Sequence, residues 1–214
     1  MSNRQSANVQ LAGSTLSPPA HCCAFFSSAE EEFQVLLPFI RQGFEQGDKS
    51  FHIIDERRRG EYLDRLADTG TDVSGAEKSG QLEVRGWENA HFKPGWFDQH
   101  AMLSLVEEVL SGAEKQGFAH TRWVANMGWA LEDKPGVGDL VEYCARLNDV
   151  VPRFNATIIC TYDLARFTAA QMVDVLRCHP LAVIGGIVQE NPFYLPPDSL
   201  IEELRASRRS FNAS

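Results

Sequence analysis

The sequence predicts an α/β fold in which helices cover both faces of a mostly parallel β-sheet. Short apolar segments alternate with amphipathic segments of helical periodicity along most of the 214 residues. Several of these segments have apolar residues at consecutive positions, so that both faces of the predicted strand are apolar. A strand needs this pattern when helices cover its sheet on both faces. No repeat and no second-domain boundary interrupts the alternation, so we predict a single α/β domain over residues 20–205.

The first half of the chain contains three predicted strands. They are HCCAFF, KSFHIID and LEVRGW. The helix after the first strand begins at Ser28, whose spacing to Glu31 fits a capping box, and Gly47 ends it. A charged helix ending at Gly70 follows the second strand, and a longer helix over about 98–116 follows the third.

The second half contains three more predicted strands. They are TRWVANMGW, ATIICTYD and LAVIGGIVQ. A helix over about 138–151 separates the first two, and the spacing of Thr168 and Gln171 predicts a capping box for the next helix. The proline-rich segment ENPFYLPP leads into a terminal amphipathic helix.

The two ends of the chain are predicted to lie outside the domain. Residues 1–19 are rich in Ser, Asn, Gln and Pro, which predicts a mobile N-terminal arm, and residues 206–214 are expected to form a C-terminal tail. The arm lacks the apolar core of a secretory signal, and no window reaches the length of a membrane span. Five cysteines without framework spacing indicate reduced thiols. We therefore expect a cytoplasmic protein with no membrane partner.

The net charge of −9 argues against direct binding of nucleic acid, which depends on an excess of Lys and Arg. Two basic clusters, Arg57–Arg59 and Arg205–Arg209, are interpreted as solvated helix ends.

The turn after the first strand does not have the composition of a phosphate-binding loop. Such a loop needs glycines, a lysine and a hydroxyl group for Mg²⁺, but residues 21–41 contain neither glycine nor lysine. Glu30, Glu31 and Glu32 stand there instead. Two like charges about 4 Å apart repel by about 1 kcal/mol in water and about 4 kcal/mol at an effective dielectric near 20. We therefore expect neither nucleotide hydrolysis nor any other enzymatic activity.

Five motifs together resemble a known family. They are H-C-C-A-F-F, F-x-x-G-D-K, C-T-Y-D, L-R-C-H-P and E-N-P-F-Y-L-P-P. This combination is similar to the MEDS domain, the methanogen/methylotroph, DcmR-type sensory domain, over about Ala20 to Glu203. The resemblance implies a RecA/KaiC-like fold with a degenerate P-loop, and a sensor of small molecules such as hydrocarbon derivatives. Because the resemblance leaves no room for a helix-turn-helix or kinase module, we expect the signal to reach a separate protein, such as a kinase, a transcription regulator or a sigma-factor regulator.

A ligand site is expected beyond the carboxyl ends of the strands, where α/β sheets bind their ligands. We predict that a small, largely apolar molecule binds among aromatic walls, with a histidine or a carboxylate as its polar anchor. The walls are Phe25, Trp87, Trp129 and Tyr162, and the anchor is His21 or Asp163. The resemblance implies a family histidine at His21.

Three alternatives remain open from the sequence. The chain could be a protein-interaction module without a ligand, or an enzyme that uses a residual nucleotide site or a reactive thiol. It could also hold a metal ion or haem through His21, Cys22, Cys160, Cys178 and His179, although these residues lack the close pairing of most metal ligands. No particular cofactor is predicted.

Overall fold

The computed structural model describes residues 8–212, without the side chains of 210–212, and it confirms the α/β class. The strands are β1 (Val9–Leu11), β2 (Ser14–Leu16), β3 (Ala20–Phe26), β4 (Lys49–Ile54), β5 (Leu82–Gly86), β6 (Thr121–Asn126), β7 (Ala156–Asp163), β8 (Leu181–Ile184) and β9 (Ile187–Glu190). The helices are α1 (Ala29–Gln46), α2 (Arg59–Asp68), α3 (Val73–Lys78), α4 (Gln99–Lys115), α5 (Leu140–Val150), α6 (Ala169–Arg177) and α7 (Pro197–Asn212).

Seven of the described strands form one sheet in the order β5-β4-β6-β7-β3-β8-β9. All neighbouring pairs are parallel except β8 and β9. The later strands β6 and β7 lie between the earlier strands β3 and β4, so the centre of the sheet consists of strands from the second half of the chain. The carboxyl ends of β3, β6 and β7 therefore meet at the middle of one edge of the sheet.

The alternation of side chains along β3 divides the core into two clusters. Cys23 and Phe25 belong to the cluster that includes buried residues of α4 and α5, whereas Cys22, Ala24 and Phe26 belong to the cluster that includes buried residues of α1. Successive side chains of a strand point to opposite faces, which explains the division. All seven residues of β3 are buried.

The N-terminal segment differs from the predicted mobile arm. Residues 9–16 form the antiparallel hairpin β1–β2, and its Val9 and Leu11 are buried beside α1. The backbone N–H of Gln10 donates to the side chain of Gln42 at 2.9 Å. Apolar and polar residues alternate in this segment, so its apolar residues can be buried against α1. The overall polar composition of the segment gave no sign of this burial. Residues 1–7 of the predicted arm lie outside the described residues.

Two further differences concern the C-terminal third. The segment LAVIGGIVQ forms a hairpin of β8 and β9 rather than one strand, because Gly185 and Gly186 adopt positive φ values of 57° and 72°. Such angles suit the tight turns that join antiparallel strands. The predicted tail also differs, since α7 continues to Asn212, and residues 213–214 lie outside the described residues.

Candidate functional site

A cleft with a volume of about 80 Å³ opens at the carboxyl edge of the sheet, beside the first turn of α1. Charged and polar side chains dominate its walls. The lining residues are Phe26, Ser28, Ala29, Glu32, Asp55, Arg58, Asn126, Gly128, Thr161, Tyr162, Asp163 and Arg166. The cleft occupies the position at which an α/β fold of this kind binds ligands.

Side chains at the start of α1 satisfy two of the backbone donors there. The hydroxyl group of Ser28 accepts from the N–H of Glu31 at 3.2 Å. The carboxylate of Glu31 accepts from both the backbone N–H and the hydroxyl group of Ser27, at 2.8 and 2.5 Å. These bonds hold the pKa of Glu31 below its usual value. The predicted capping box is therefore half right: Ser28 caps the helix, but Glu31 bonds to Ser27, and a carboxylate takes donors that an anionic ligand would use.

Glu32 connects α1 to the central strand β7. Its carboxylate accepts from the hydroxyl group of Thr161 at 2.8 Å and lies 3.7 Å from the guanidinium group of Arg58. Burial raises the pKa of Glu32, and the contacts with Thr161 and Arg58 oppose that rise. The carboxyl group of Glu32, which lines the cleft, is therefore a weaker acid than an exposed glutamate.

Asp55 and Asn126 shape the turns that form two walls of the cleft. Asp55 follows β4 and accepts from the backbone N–H and the guanidinium group of Arg57. These bonds, together with the charge of Arg166, hold the pKa of Asp55 below its usual value despite some burial. Asn126 ends β6 and accepts from the N–H of Gly128 at 3.1 Å.

Two of the predicted site residues, Tyr162 and Asp163, line the cleft. Asp163 also stabilises the loop after β7, since its carboxylate accepts from the N–H of Ala165 at 2.9 Å. The buried ring of Tyr162 packs against Phe25 with ring centroids 5.6 Å apart. Tyr162 and Asp163 thus lie where the strand-end rule placed them.

The remaining predicted aromatic walls do not surround an open pocket. Trp129 is fully buried, stacked on His91 with centroids 4.5 Å apart and packed on Phe97 at 4.2 Å. Trp87 is also buried, and its indole N–H donates to the carbonyl of Asn126 at 3.2 Å. Phe25, Trp87 and Trp129 therefore pack as core residues, and their side chains fill the space that an apolar ligand was predicted to occupy.

His21 lies away from the cleft, near the start of β3, within a buried group of histidines and cysteines. Its Nδ1 is 3.0 Å from the side-chain oxygen of Asn148, and its Nε2 is 3.7 Å from the sulfur of Cys160. The rings of His21 and His179 have centroids 4.3 Å apart. Burial, together with the nearby His179, lowers the pKa of His21 to about 3, so the imidazole is neutral. His21 is therefore not positioned to anchor a ligand in the cleft.

Cys144 on α5 joins the same buried group. Burial opposes its ionisation, but the neighbouring side chains of Cys160, Cys178 and His179 outweigh that effect and hold the pKa of Cys144 well below its usual value. All five cysteines of the chain are free thiols and buried.

The sequence interpretation missed several residues of both regions. Arg58 and Arg166 enter the cleft from turns that follow β4 and β7, whereas Arg58 had been interpreted as part of a solvated helix end. Cys144 was not among the candidate ligands named from the sequence. The strand-end rule offered a signal for both arginines, because each follows a strand within a few residues.

Comparison with known proteins identifies the fold and the family. The family model described as MEDS, the methanogen/methylotroph, DcmR Sensory domain, matches residues 20–180. The chain belongs to the MEDS family. The cleft and the buried histidine–cysteine group thus both belong to a MEDS domain.

One curated relative of this MEDS chain is the transcriptional repressor DcmR of Methylorubrum extorquens. The two are 26% identical over 177 residues, which cover 82% of this chain. The match spans 64% of the length of the relative, so about a third of that repressor lies outside the match.

A solved structure with the same fold is a KaiC-like protein from the archaeon Pyrococcus horikoshii. It superposes with a TM-score of 0.55 and 16% identity, covering 76% of this chain and 69% of the other. At this identity the likeness establishes the fold alone, in agreement with the expected RecA/KaiC-like architecture. Within residues 8–212, none of the helices has the length and apolarity that crossing a bilayer would require.

Proposed function

We propose that this MEDS domain is a non-enzymatic sensor that binds a small molecule in the cleft at the carboxyl edge of its sheet. Family membership supports a sensory role, and the name of the curated relative supports a regulatory one. The observation that carries the proposal is the cleft itself, which lies at the ligand-binding position of the fold and presents charged groups from the ends of β4 and β7 and from α1.

The lining of the cleft favours a ligand with polar groups over the largely apolar molecule predicted from the sequence. Arg58 and Arg166 offer fixed donors, and Glu32, Asp55 and Asp163 offer acceptors. A molecule of a few non-hydrogen atoms that carries both a donor and an acceptor would complement these groups. An apolar ligand would instead require the packed cluster around Phe25 and Trp129 to open.

The contacts of Glu32 give the ligand a route to the rest of the domain. Glu32 lies on α1 and connects this helix to two other elements. It contacts β7 through Thr161, and it contacts the residue directly before α2, Arg58. A ligand that competes for Arg58 or Glu32 would change which of these elements are held together. Such a ligand would shift the population of two states only to the extent that it binds them with different affinity.

The proposed output is contact with a separate regulatory protein in the cytoplasm, such as a kinase, a transcription regulator or a sigma-factor regulator. Apolar side chains are exposed on the terminal hairpin and the loop after it, where Ile187 and Phe193 are 64% and 61% exposed. Exposed apolar side chains of this kind are typical of protein contact sites. Five buried free thiols are compatible with a reducing compartment.

Native mass spectrometry of protein purified gently from its own host tests the binding proposal. We expect a small bound mass that is lost in Arg166→Ala and Thr161→Val, because both side chains line the cleft. The matched control is Arg41→Ala, since Arg41 pairs with Glu45 on the exposed face of α1. A mass that persists in both cleft variants, or protein that carries no small molecule from its host, would contradict the proposal.

A ligand-free interaction module is the second candidate, and the exposed Ile187 and Phe193 favour it. In that case Ile187→Ser would abolish capture of a partner, whereas the cleft variants would capture it normally. If the sensor proposal is right, the cleft variants would also change partner capture.

A further inference from the structure

We propose that the buried histidine–cysteine group is a binding site for a divalent, thiophilic metal ion of the zinc type. One ligand atom each from His21, Cys160 and His179 lies within 4.8 Å of the others. A second set of the same spacing consists of Cys144, Cys178 and His179. The two sets share His179, so five potential ligands converge on one region of the core.

The hydrogen bonds of Asn148 orient the imidazole of His21 for metal binding. The amide nitrogen of Asn148 faces the backbone carbonyls of Cys144, Ala145 and Cys178 at 3.2, 3.2 and 2.9 Å. Since carbonyls only accept, the amide oxygen is the atom that faces His21, and Nδ1 of His21 must donate to it. Its Nε2 therefore carries a free lone pair directed at Cys160.

His179 shows the same arrangement. Its Nδ1 is 2.8 Å from the carbonyl of Val175, which can only accept, so Nδ1 carries the proton. Its Nε2 is buried and has no hydrogen-bond partner among the described residues. Two neighbouring histidines thus each donate Nδ1–H to an oxygen and leave Nε2 unprotonated, which is the usual arrangement of metal-binding histidines.

The charges of the group favour a divalent ion. Binding through the first set, His21, Cys160 and His179, with Cys144 of the second set as the fourth ligand, would combine two neutral imidazoles with two thiolates, and the two thiol protons would pass to solvent. The resulting complex with a divalent cation carries no net charge, which lowers the cost of placing it in a core where these residues are buried. Two thiolates and two imidazoles match the tetrahedral Cys₂His₂ preference of zinc.

The ligand set differs from the one considered from the sequence. Cys22 drops out because it points to the opposite face of the sheet, where it packs with Ala24 and Phe26. Cys144 enters because it lies on the helix that covers the correct face. Cys178 remains adjacent, but its thiol donates to the carbonyl of Val175 at 3.1 Å, so we place it beside the site rather than among its ligands.

Cobalt substitution tests the proposal, since Co²⁺ occupies zinc sites and reports thiolate ligands by colour. Because the ligands are buried, the metal has to be supplied during synthesis, by growth in zinc-depleted medium with Co²⁺. We expect the purified wild-type chain to contain one Co²⁺ and to show thiolate-to-cobalt charge-transfer bands with the visible bands of tetrahedral cobalt. Protein that contains neither cobalt nor zinc, or cobalt without thiolate bands, would overturn the proposal.

Variants then locate the site. Cys160→Ala and Cys144→Ala should lose the charge-transfer bands, and Asn148→Ala should weaken metal retention about 10-fold or more by releasing His21. Cys22→Ala is the matched control, because Cys22 is a buried cysteine of the same strand as His21 on the opposite face, and it should retain full cobalt content. Equal loss in Cys22→Ala and Cys160→Ala would overturn the assignment. If the alanine variants fail to fold, the stoichiometry and spectrum of the wild-type chain decide the question alone.

Discussion

The carboxylate of Glu32 accepts a hydrogen bond from the hydroxyl group of Thr161 at 2.8 Å, inside the cleft at the carboxyl edge of the sheet. This bond joins the first turn of α1 to the carboxyl end of the central strand β7. A protein side chain thus places a carboxyl group inside the cleft and holds it to the sheet.

Removal of the hydroxyl group of Thr161 is predicted to destabilise the domain. Thr161→Val leaves the partly buried carboxylate of Glu32 without its neutral donor, and the free energy of unfolding should fall by about 1–3 kcal/mol. Thr157→Val is the matched control, because Thr157 lies four residues earlier in β7 and its buried hydroxyl has no partner among the described residues. Denaturant unfolding of both variants measures the difference, and equal losses would contradict the role assigned to Thr161.

The pKa of Glu32 makes a prediction about pH. Burial raises that pKa above the value in the unfolded chain, so the folded state binds the proton more tightly. The wild-type protein should therefore lose stability relative to Glu32→Gln as the pH rises above 4.5 through the folded-state pKa. Urea unfolding of both proteins between acid and neutral pH measures this difference. A gap that stays constant over that range would show that Glu32 does not titrate as described.

The buried ion pair of Arg122 and Asp48 gives the G-D-K motif a structural role. Arg122 is fully buried, and its guanidinium group donates to Asp48 at 2.8 Å, to the carbonyl of Phe39 and to the side chain of Gln46. Arg122→Met should cost about 3–5 kcal/mol, because it leaves the Asp48 carboxylate buried without a partner. The double variant with Asp48→Asn should be more stable than Arg122→Met alone. If the two losses simply add in a double-mutant cycle, the pair is not coupled as the structure indicates.

His91 is predicted to make the protein sensitive to acid. Neither ring nitrogen of His91 has a partner among the described residues, and burial lowers its pKa to about 3 from 6.5. Since the unfolded chain takes up the proton first, the contribution of the neutral ring is present above pH 6.5 and is lost as the pH falls. Between pH 6.5 and about pH 5.5 this loss amounts to about 1 kcal/mol.

The variant His91→Phe keeps an aromatic ring stacked on Trp129 beside Phe97 and removes the titration. Its stability should fall less steeply with acid than that of the wild type. The control is His100→Gln, which removes an exposed histidine instead of a buried one. Identical acid profiles for His91→Phe and the wild type would show that His91 is not the residue that titrates.

The sequence predicted the class of fold because its signal is local and repeated. Strand β7 is buried at every position except the last, and the capping box of Thr168 and Gln171 is confirmed by bonds in both directions. Tyr162 and Asp163 could be placed at the cleft because the end of a long apolar strand is visible in the sequence. The hairpin β1–β2 could not, because two strands of three residues depend on burial against α1 rather than on their own periodicity.

The buried ion pair and the buried histidine–cysteine group could not be predicted, because their residues lie far apart in the sequence. Asp48 and Arg122 are separated by 74 positions, and Cys160 and His21 by 139. Period-two alternation along β3 contained a usable signal, since it places His21 and Cys22 on opposite faces. The aromatic walls were misplaced for a related reason, because Trp129 satisfies the requirements of a core residue and of a pocket wall equally well.

Calorimetric titration with millimolar ATP and Mg²⁺ measures whether the turn after β3 binds phosphate. Ser27, Ser28 and Glu31 bond to one another at the start of α1, and Glu32 is bonded to Thr161, so we expect no saturable heat and no rise in the melting temperature. Saturable binding of one nucleotide per chain, abolished when Ser27 and Ser28 are replaced, would show that the turn holds phosphate and that these bonds do not exclude a nucleotide.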